Sequence, residues 1–191
     1  MYKQCRPEQS AARQRQLEQG LLQVMSRRHY DDISVLDLCQ ELQIPRKAFY
    51  RYFDSKDGAL FALIDHALMD YDSHAQLTRD QLDNISPQKF MERVLSYWVE
   101  NRQLLDALER SGLTGILVQR AIEYTREMDT LPFVLASDDR MLRDYATMFT
   151  VCGLMSMIVQ WHHDGFSRSV EEMATLSIRL FMEPMFKMMQ A

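Results

Sequence analysis

The sequence contains few of the residues that interrupt helices. Glycine occurs only 6 times and proline only 5 times in 191 residues. Because glycine and proline break helices and the abundant unbranched side chains favour them, this composition predicts an all-α protein. The length and the 47% of hydrophobic residues suit one ordinary domain or two small ones with a real core.

Cysteine is also scarce. Cys5, Cys39 and Cys152 are far apart, odd in number and form no C-x-x-C pair. They give no sign of a disulfide framework and favour a reducing setting, so we expect a cytoplasmic protein. No basic-then-apolar leader opens the chain, and no uncharged apolar run is long enough to span a membrane.

The short motifs of several enzyme classes are missing. There is no glycine-rich phosphate loop and no G-x-S-x-G motif. A helical di-iron site needs Glu-x-x-His pairs, and no glutamate here has a histidine three residues later. We therefore expect no enzymatic activity and no cofactor.

The sequence contains two groups of histidines. His66, Asp70 and His74 share one helix face, a spacing that can bind a divalent metal but is more often a solvated stripe. His162 and His163 are expected at a helix C-terminus, where positive charge is favourable. We predict no metal ligand among them.

The net charge of −5 hides an asymmetry along the chain. Residues 1–53 hold nine Lys/Arg and six Asp/Glu, whereas residues 54–191 hold thirteen and twenty-one. A basic head on an acidic body suggests that only the head meets a polyanion.

Hydrophobic periodicity predicts about nine helices and no strand. The predicted helices cover residues 8–28, 34–41, 45–52, 54–78, 87–101, 102–110, 113–128, 138–164 and 168–189. Ser34 is the expected cap of the second helix, and Pro45 is the expected first residue of the third. These two short helices and their tight turn form a helix-turn-helix pattern, whose second helix enters the major groove. Residues 1–53 are therefore predicted to bind DNA, and residues 54–191 to form a larger helical domain.

The third helix mixes basic and aromatic residues. Phe49 and Phe53 are four apart and are expected to pack inward, while Arg46 and Lys47 lie in the first turn, which reaches base edges or phosphates. An amphipathic surface helix of some other bundle would show the same pattern, and the pattern alone leaves that alternative open. The predicted DNA contacts are Ser34, Arg46, Lys47, Tyr50, Arg51, Tyr52 and Lys56.

Three short runs carry a family resemblance. They are H-Y-D-D-I-S-V at 29–35, D-L-C at 37–39 and F-Y-R-Y-F-D-S-K at 49–56, preceded by Leu17, Leu21, Leu22 and Met25. On these residues, the segment 13–64 resembles the N-terminal domain of the TetR family of bacterial transcriptional regulators. The resemblance implies phosphate contacts from Tyr50, Lys56 and Tyr52, and groove contacts from Arg46 and Lys47. The rest of the chain resembles the family only in layout.

The chain also departs from the family pattern. The family usually has glycine at the positions of His29, Gln43 and often Lys47, and often has hydroxyl residues where this chain has Pro45 and Ala48. His29 and Gln43 are therefore expected in left-handed conformations, at a cost of about 1 kcal/mol each. These departures keep an alternative open: a helical partner-binding regulator with reduced or lost DNA binding.

The last two helices are apolar on more than one face and must be buried. We expect a homodimer held by a four-helix bundle, two helices from each subunit, as the resemblance also implies. The alternative is that these helices fill one subunit's own core. The predicted interface residues are Val151, Ile158, Met173, Leu176 and Leu180.

The fourteen methionines suit varied apolar ligands, since methionine adapts its shape. The candidate pocket residues are Tyr97, Trp98, Leu105, Ile116, Leu117, Tyr124, Met128, Phe133, Met148 and Met155. The resulting hypothesis is a repressor that leaves a palindromic double-stranded DNA operator when a small, largely apolar effector binds the C-terminal domain. The direction of the response is an inference from the family.

Overall fold

The computed structural model describes residue 2 and residues 8–75, 85–127 and 139–182. These residues form nine α-helices and a short 3-10 turn at Tyr30–Asp32, and their only β-type pairing is an isolated bridge between Tyr2 and Phe53. The predicted all-α class is confirmed. The helices are α1 Glu8–Met25, α2 Val35–Glu41, α3 Arg46–Tyr50, α4 Lys56–Ala75, α5 Pro87–Glu100, α6 Arg102–Arg110, α7 Thr114–Glu127, α8 Arg140–His163 and α9 Val170–Met182.

None of the helices in these ranges combines the length and the apolar character that a membrane crossing requires.

The chain divides into two compact units. The first contains Met1–Leu68 and Gln103–Arg120, and the second contains Met69–Arg102 and Ala121–Ala191. The first unit thus includes the beginning of α4 and most of α6 as well as the predicted head. The predicted functional boundary between residues 53 and 54 stays a prediction, because a packing unit does not define which residues bind DNA.

Side chains cap several helix beginnings, as the sequence predicts. The Ser34 hydroxyl accepts from the backbone of Asp37, and the Asp37 carboxylate accepts from the backbone of Ser34, forming a capping box at α2. The Ser55 hydroxyl accepts from the Gly58 backbone at α4. Pro45 was predicted to be the first residue of α3, and this prediction is wrong by one residue. Pro45 is the N-cap of α3, with φ −69° and ψ 144°, and its side chain makes no capping hydrogen bond.

Three helices end in the same left-handed turn. Gln43, Gly112 and Gly165 have φ of 52°, 65° and 71° and follow α2, α6 and α8. After α2, the Ile44 backbone N–H donates to the Cys39 carbonyl at 2.9 Å, and that of Gln43 donates to Gln40 at 3.1 Å. These two hydrogen bonds together form a Schellman motif, which satisfies the last carbonyls of the helix. The left-handed conformation predicted for Gln43 is confirmed.

The same prediction is wrong for His29. Its φ is −64° and its ψ is 141°, which is extended backbone. Instead of ending α1 with a left-handed residue, His29 begins the 3-10 turn, and its Nδ1 accepts from the Asp31 backbone at 3.4 Å. A side chain at this position therefore costs no backbone strain.

The core of the first unit is built around α3. Phe49 and Phe53 are both fully buried, and their ring centroids lie 5.2 Å apart. The inward packing predicted for this pair is confirmed. Other fully buried side chains of the first unit are Leu21, Met25, Ile33, Leu38, Leu60, Ile64, Leu105 and Leu108.

In the second unit, α5 packs along α9. The Gln88 amide donates to the Glu171 carbonyl at 3.1 Å, and the Thr175 hydroxyl lies 3.3 Å from the Gln88 carbonyl oxygen. The indole of Trp161 packs edge to face with Phe166 and donates to the Arg168 carbonyl at 3.1 Å. His162 and His163 end α8, as predicted.

The predicted dimer residues do not all reach the surface. Ile158 is 0% exposed and Met173 is 4% exposed within their own chain, so a partner could not touch them without repacking. Both are removed from the predicted interface, because they fill the subunit's own core. Val151, Leu176 and Leu180 are half-buried. The large apolar side chains that α8 does expose are Met141, Leu142, Tyr145 and Phe149.

Candidate nucleic-acid interface

The side chains of α3 divide between two faces. Phe49 is buried, whereas Arg46, Lys47, Tyr50 and Arg51 are exposed. The split follows from helical spacing, because Phe49 and Phe53 are one turn apart and anchor the inner side. The outer side therefore presents three cations and one phenol together, as predicted.

Arg46 and Tyr50 interact along this outer face. The Arg46 guanidinium donates to the Tyr50 hydroxyl at 3.4 Å, and its carbon lies 5.8 Å from the centre of the phenol ring. The Tyr50 hydroxyl accepts this bond, so its own proton stays available for an outside acceptor such as a phosphate oxygen. The hydrogen bond to Tyr50 also raises the pKa of Arg46, which keeps its charge.

Lys56 holds the 3-10 turn to the start of α4. Its Nζ donates to the Tyr30 carbonyl at 2.6 Å and lies 3.9 Å from the centre of the Tyr30 ring. The side chain is half-buried. Since an ammonium group has three N–H donors, two remain after the bond to the Tyr30 carbonyl.

Tyr30 is the partner of Lys56 and Asp57, and the sequence analysis did not predict this role. It is 5% exposed, and its hydroxyl donates to the Asp57 carboxylate at 2.6 Å. Burial and this bond raise the pKa of Tyr30, so it remains a neutral donor. The only sequence signal was its place in the H-Y-D-D-I-S-V run.

Two predicted DNA contacts are less suitably placed. The Ser34 hydroxyl donates to the Asp37 carboxylate, so its proton is already used and a negative charge lies beside it. These bonds lower the pKa of Asp37, which therefore stays ionised. Tyr52 is 7% exposed, with its ring centroid 6.3 Å from that of Phe53. Neither geometry favours a phosphate contact.

The predicted pocket residues fall in both units. Leu105, Ile116 and Leu117 belong to the first unit, and Leu105 and Leu117 are fully buried there. Met128 and Phe133 lie outside the described residues. In the second unit, Tyr97 and Trp98 touch, with ring centroids 5.4 Å apart. Tyr124, Met148 and Met155 also belong to this unit.

His66 has a partner on another helix. Its Nδ1 lies 2.7 Å from a carboxylate oxygen of Glu18 on α1, and Glu18 is 1% exposed. The His74 side chain lies outside the described residues. Among the side chains that are described, no group of three His, Cys, Asp or Glu is arranged to hold a metal ion.

A buried ion pair crosses the first unit beside His66. The Arg120 guanidinium on α7 makes a two-pronged contact with the Asp65 carboxylate of α4, with Nε 2.6 Å from Oδ1. The Tyr2 hydroxyl donates to the other carboxylate oxygen at 2.7 Å. Asp65 is 6% exposed. This cluster links Tyr2, α4 and α7, and no sequence motif predicted it.

Comparison with known proteins gives the same domain. A family model described as bacterial regulatory proteins of the tetR family matches residues 19–63. No curated protein sequence is similar enough to match.

Solved structures with this fold include several regulators. A TetR transcriptional regulator from Streptococcus agalactiae is 15% identical, with a TM-score of 0.61 over 91% of this chain and 95% of that one. The fatty acid degradation regulator FadR from Bacillus halodurans is 12% identical, with a TM-score of 0.57 over 95% and 97%. A tetR-family transcriptional regulator from Streptomyces coelicolor is 20% identical, with a TM-score of 0.56 over 89% and 78%.

The sequence resemblance is thereby confirmed, since the matched segment contains α2, α3 and the exposed basic face. Residues 19–63 match the model of the tetR family of bacterial regulatory proteins, and the chain as a whole has the fold of solved TetR-family regulators.

Proposed function

We propose that the protein is a dimeric transcriptional repressor that binds a palindromic operator through α3 and leaves it when a small molecule binds the second unit. The observation that carries the proposal is the outer face of α3. Arg46, Lys47, Tyr50 and Arg51 are exposed there while Phe49 anchors the helix from behind. Cations in the first turn of such a helix suit guanine edges and phosphates.

The ordinary shape of the turn before α3 argues against the partner-binding alternative. That alternative rests on the missing glycines at His29, Gln43 and Lys47. Gln43 nevertheless adopts the left-handed conformation, and His29 does not need it. The helix-turn-helix therefore forms without either glycine.

The dimer interface is proposed on the exposed side of α8. Met141, Leu142, Tyr145 and Phe149 are 66%, 49%, 73% and 66% exposed and lie within about two turns. A contiguous group of large exposed apolar side chains is typical of an interaction surface. A two-fold partner would cover this group and set the spacing of the two α3 helices.

The effector is proposed to be largely apolar and to act in the cytoplasm. It would favour release because it binds the DNA-free arrangement more tightly than the DNA-bound one. The aromatic side chains of α5 in the second unit support an apolar site.

The test is DNA binding by the full chain. Genomic fragments that the protein retains are sequenced, and binding to DNA from its own upstream region is measured by fluorescence anisotropy. We expect binding whose logarithmic affinity falls linearly with the logarithm of salt concentration. Indifference to every fragment at low salt would favour the partner-binding alternative.

A further inference from the structure

One buried donor in the second unit lacks an acceptor. Trp98 on α5 is 0% exposed, and its indole Nε1 has no hydrogen-bond partner. Leaving a buried donor unpaired destabilises the folded state. Native proteins rarely accept that cost without a water, an ion or a ligand that supplies the missing partner.

The other unpaired buried atoms have a simpler explanation. Within the described part of the chain they are Gln14 Nε2 and Glu18 Oε1. These are a donor and an acceptor one turn apart on α1, so one bridging water can satisfy both. Within the described residues, no other unpaired buried side-chain atom lies on α5 with Trp98. Trp161, the second tryptophan, donates to the Arg168 carbonyl at 3.1 Å.

The surroundings of Trp98 are aromatic and aliphatic. The Tyr71 ring is tilted 39° against the indole at 5.6 Å, and the Tyr97 ring stands at 89° at 5.4 Å. Val94 and Leu95, on the preceding turn of α5, are 1% and 0% exposed. Apolar walls with one oriented polar group are the usual makeup of a small-molecule site.

We propose that the Trp98 indole N–H is the polar anchor of the effector site, and that it donates to a neutral oxygen acceptor on a flat aromatic molecule. This inference rests on the proposed function and names its ligand class. The acceptor is neutral because an uncharged N–H cannot offset the cost of burying a carboxylate. The aromatic class is inferred from the surroundings, because the Tyr71 and Tyr97 rings that pack on the indole make the neighbourhood of its N–H aromatic.

The test uses two probes of nearly equal shape, acetophenone and ethylbenzene, which differ by a carbonyl oxygen. With ¹⁵N-labelled full-length protein, the chain's two indole N–H signals are assigned through Trp161→Phe. We expect acetophenone to bind about fivefold more tightly, as one hydrogen bond of about 1 kcal/mol implies. It should shift the Trp98 signal and leave the Trp161 signal in place.

The variant Trp98→Phe should bind both probes equally, while the control Trp161→Phe keeps the preference. Equal affinity in the wild type, no binding of either probe, or an unmoved Trp98 signal would each overturn the proposal. The signal shift in the wild type decides the matter even if Trp98→Phe folds poorly. Because no DNA is present, failure here leaves the DNA-binding test of the proposed function untouched.

Discussion

At the scale of single residues, the outer face of α3 predicts two classes of DNA contact. Tyr50 and Lys56 each keep a donor for phosphate after their internal bonds to Arg46 and Tyr30. We expect Tyr50→Phe and Lys56→Ala to weaken binding to all DNA sequences about equally, by about 1 kcal/mol each. Lys56→Ala should also reduce the salt dependence by about one unit of slope.

Fluorescence anisotropy over a salt series measures both effects. The control is Lys89→Ala on α5, which removes an exposed lysine paired with Glu92 at 2.8 Å. A sequence-selective loss in either variant would show that the residue reads bases instead.

Arg46 is predicted to read bases, because it lies in the first turn of α3. Arg46→Ala should relax the preference at one operator position and cost about 1 to 3 kcal/mol on the best site. Selection of bound fragments from a random pool, compared with the wild type, measures that preference. An unchanged base preference would show that Arg46 contacts the DNA phosphates and reads no base.

Gln43 carries backbone strain that glycine would not. We expect Gln43→Gly to stabilise the protein by about 0.5 to 1 kcal/mol. Left-handed backbone costs a residue with a side chain about 1 to 2 kcal/mol, and the greater entropy of glycine in the unfolded chain offsets part of that gain. Gly112→Ala is the reciprocal control, with an expected loss of about 1 kcal/mol. An added Cβ at Gly112 would meet no atom within 4 Å, so only backbone strain changes. Chemical denaturation measures both, and a loss in Gln43→Gly would contradict the strain argument.

At the scale of elements, the positions and caps of helices could be predicted from the sequence. Which helix or subunit buries a given apolar face could not. The apolar spacing of Val35, Leu38 and Leu42 and the cap at Ser34 placed α2 correctly. Pro45 was placed one residue too far inside α3, because its fixed φ suits the N-cap as well as the first turn. Ile158 and Met173 were assigned to a partner because an apolar position looks the same whether its own chain or another buries it.

The contacts between elements depend on tertiary structure. Asp65 and Arg120 are far apart in sequence, and nothing local to either residue indicates the other. Asp65→Asn should destabilise the protein by about 2 kcal/mol, because the half-buried Arg120 guanidinium loses its charged partner and Tyr2 loses a charged acceptor. Asp164→Asn is the control, since Asp164 is exposed and bonds only along its own helix to Gln160. Denaturant midpoints measure the difference, and equal midpoints would mean that the ion pair adds nothing.

At the scale of the whole molecule, the all-α class followed from the scarcity of glycine and proline, and the family resemblance followed from residues 13–64. The boundaries of the compact units did not follow from the sequence. The segment Gln103–Arg120 joins the first unit although it is distant in sequence. Charge asymmetry distinguishes residues 1–53 from the rest of the sequence, yet it carries no information about which later helices belong to the same packing unit.

The exposed side of α8 makes an assembly prediction. The wild type should have a mass in solution near twice 22.6 kDa, and Tyr145→Glu combined with Phe149→Glu should give monomers, because two charges would be buried at the interface. Leu36→Glu on α2 is the control, with a side chain 49% exposed in the first unit. Light scattering coupled to size exclusion measures the mass. A double variant that stayed dimeric would place the interface elsewhere.

The shortness of α3 limits what one subunit can read. Five residues rise about 7.5 Å along a helix axis, and stacked base pairs are about 3.4 Å apart, so α3 spans little more than two base pairs. A DNA sequence of two or three base pairs recurs constantly in any genome. In the proposed dimer, selectivity would therefore come from the fixed distance between two copies of that short sequence, so that operator spacing would be as informative as operator sequence.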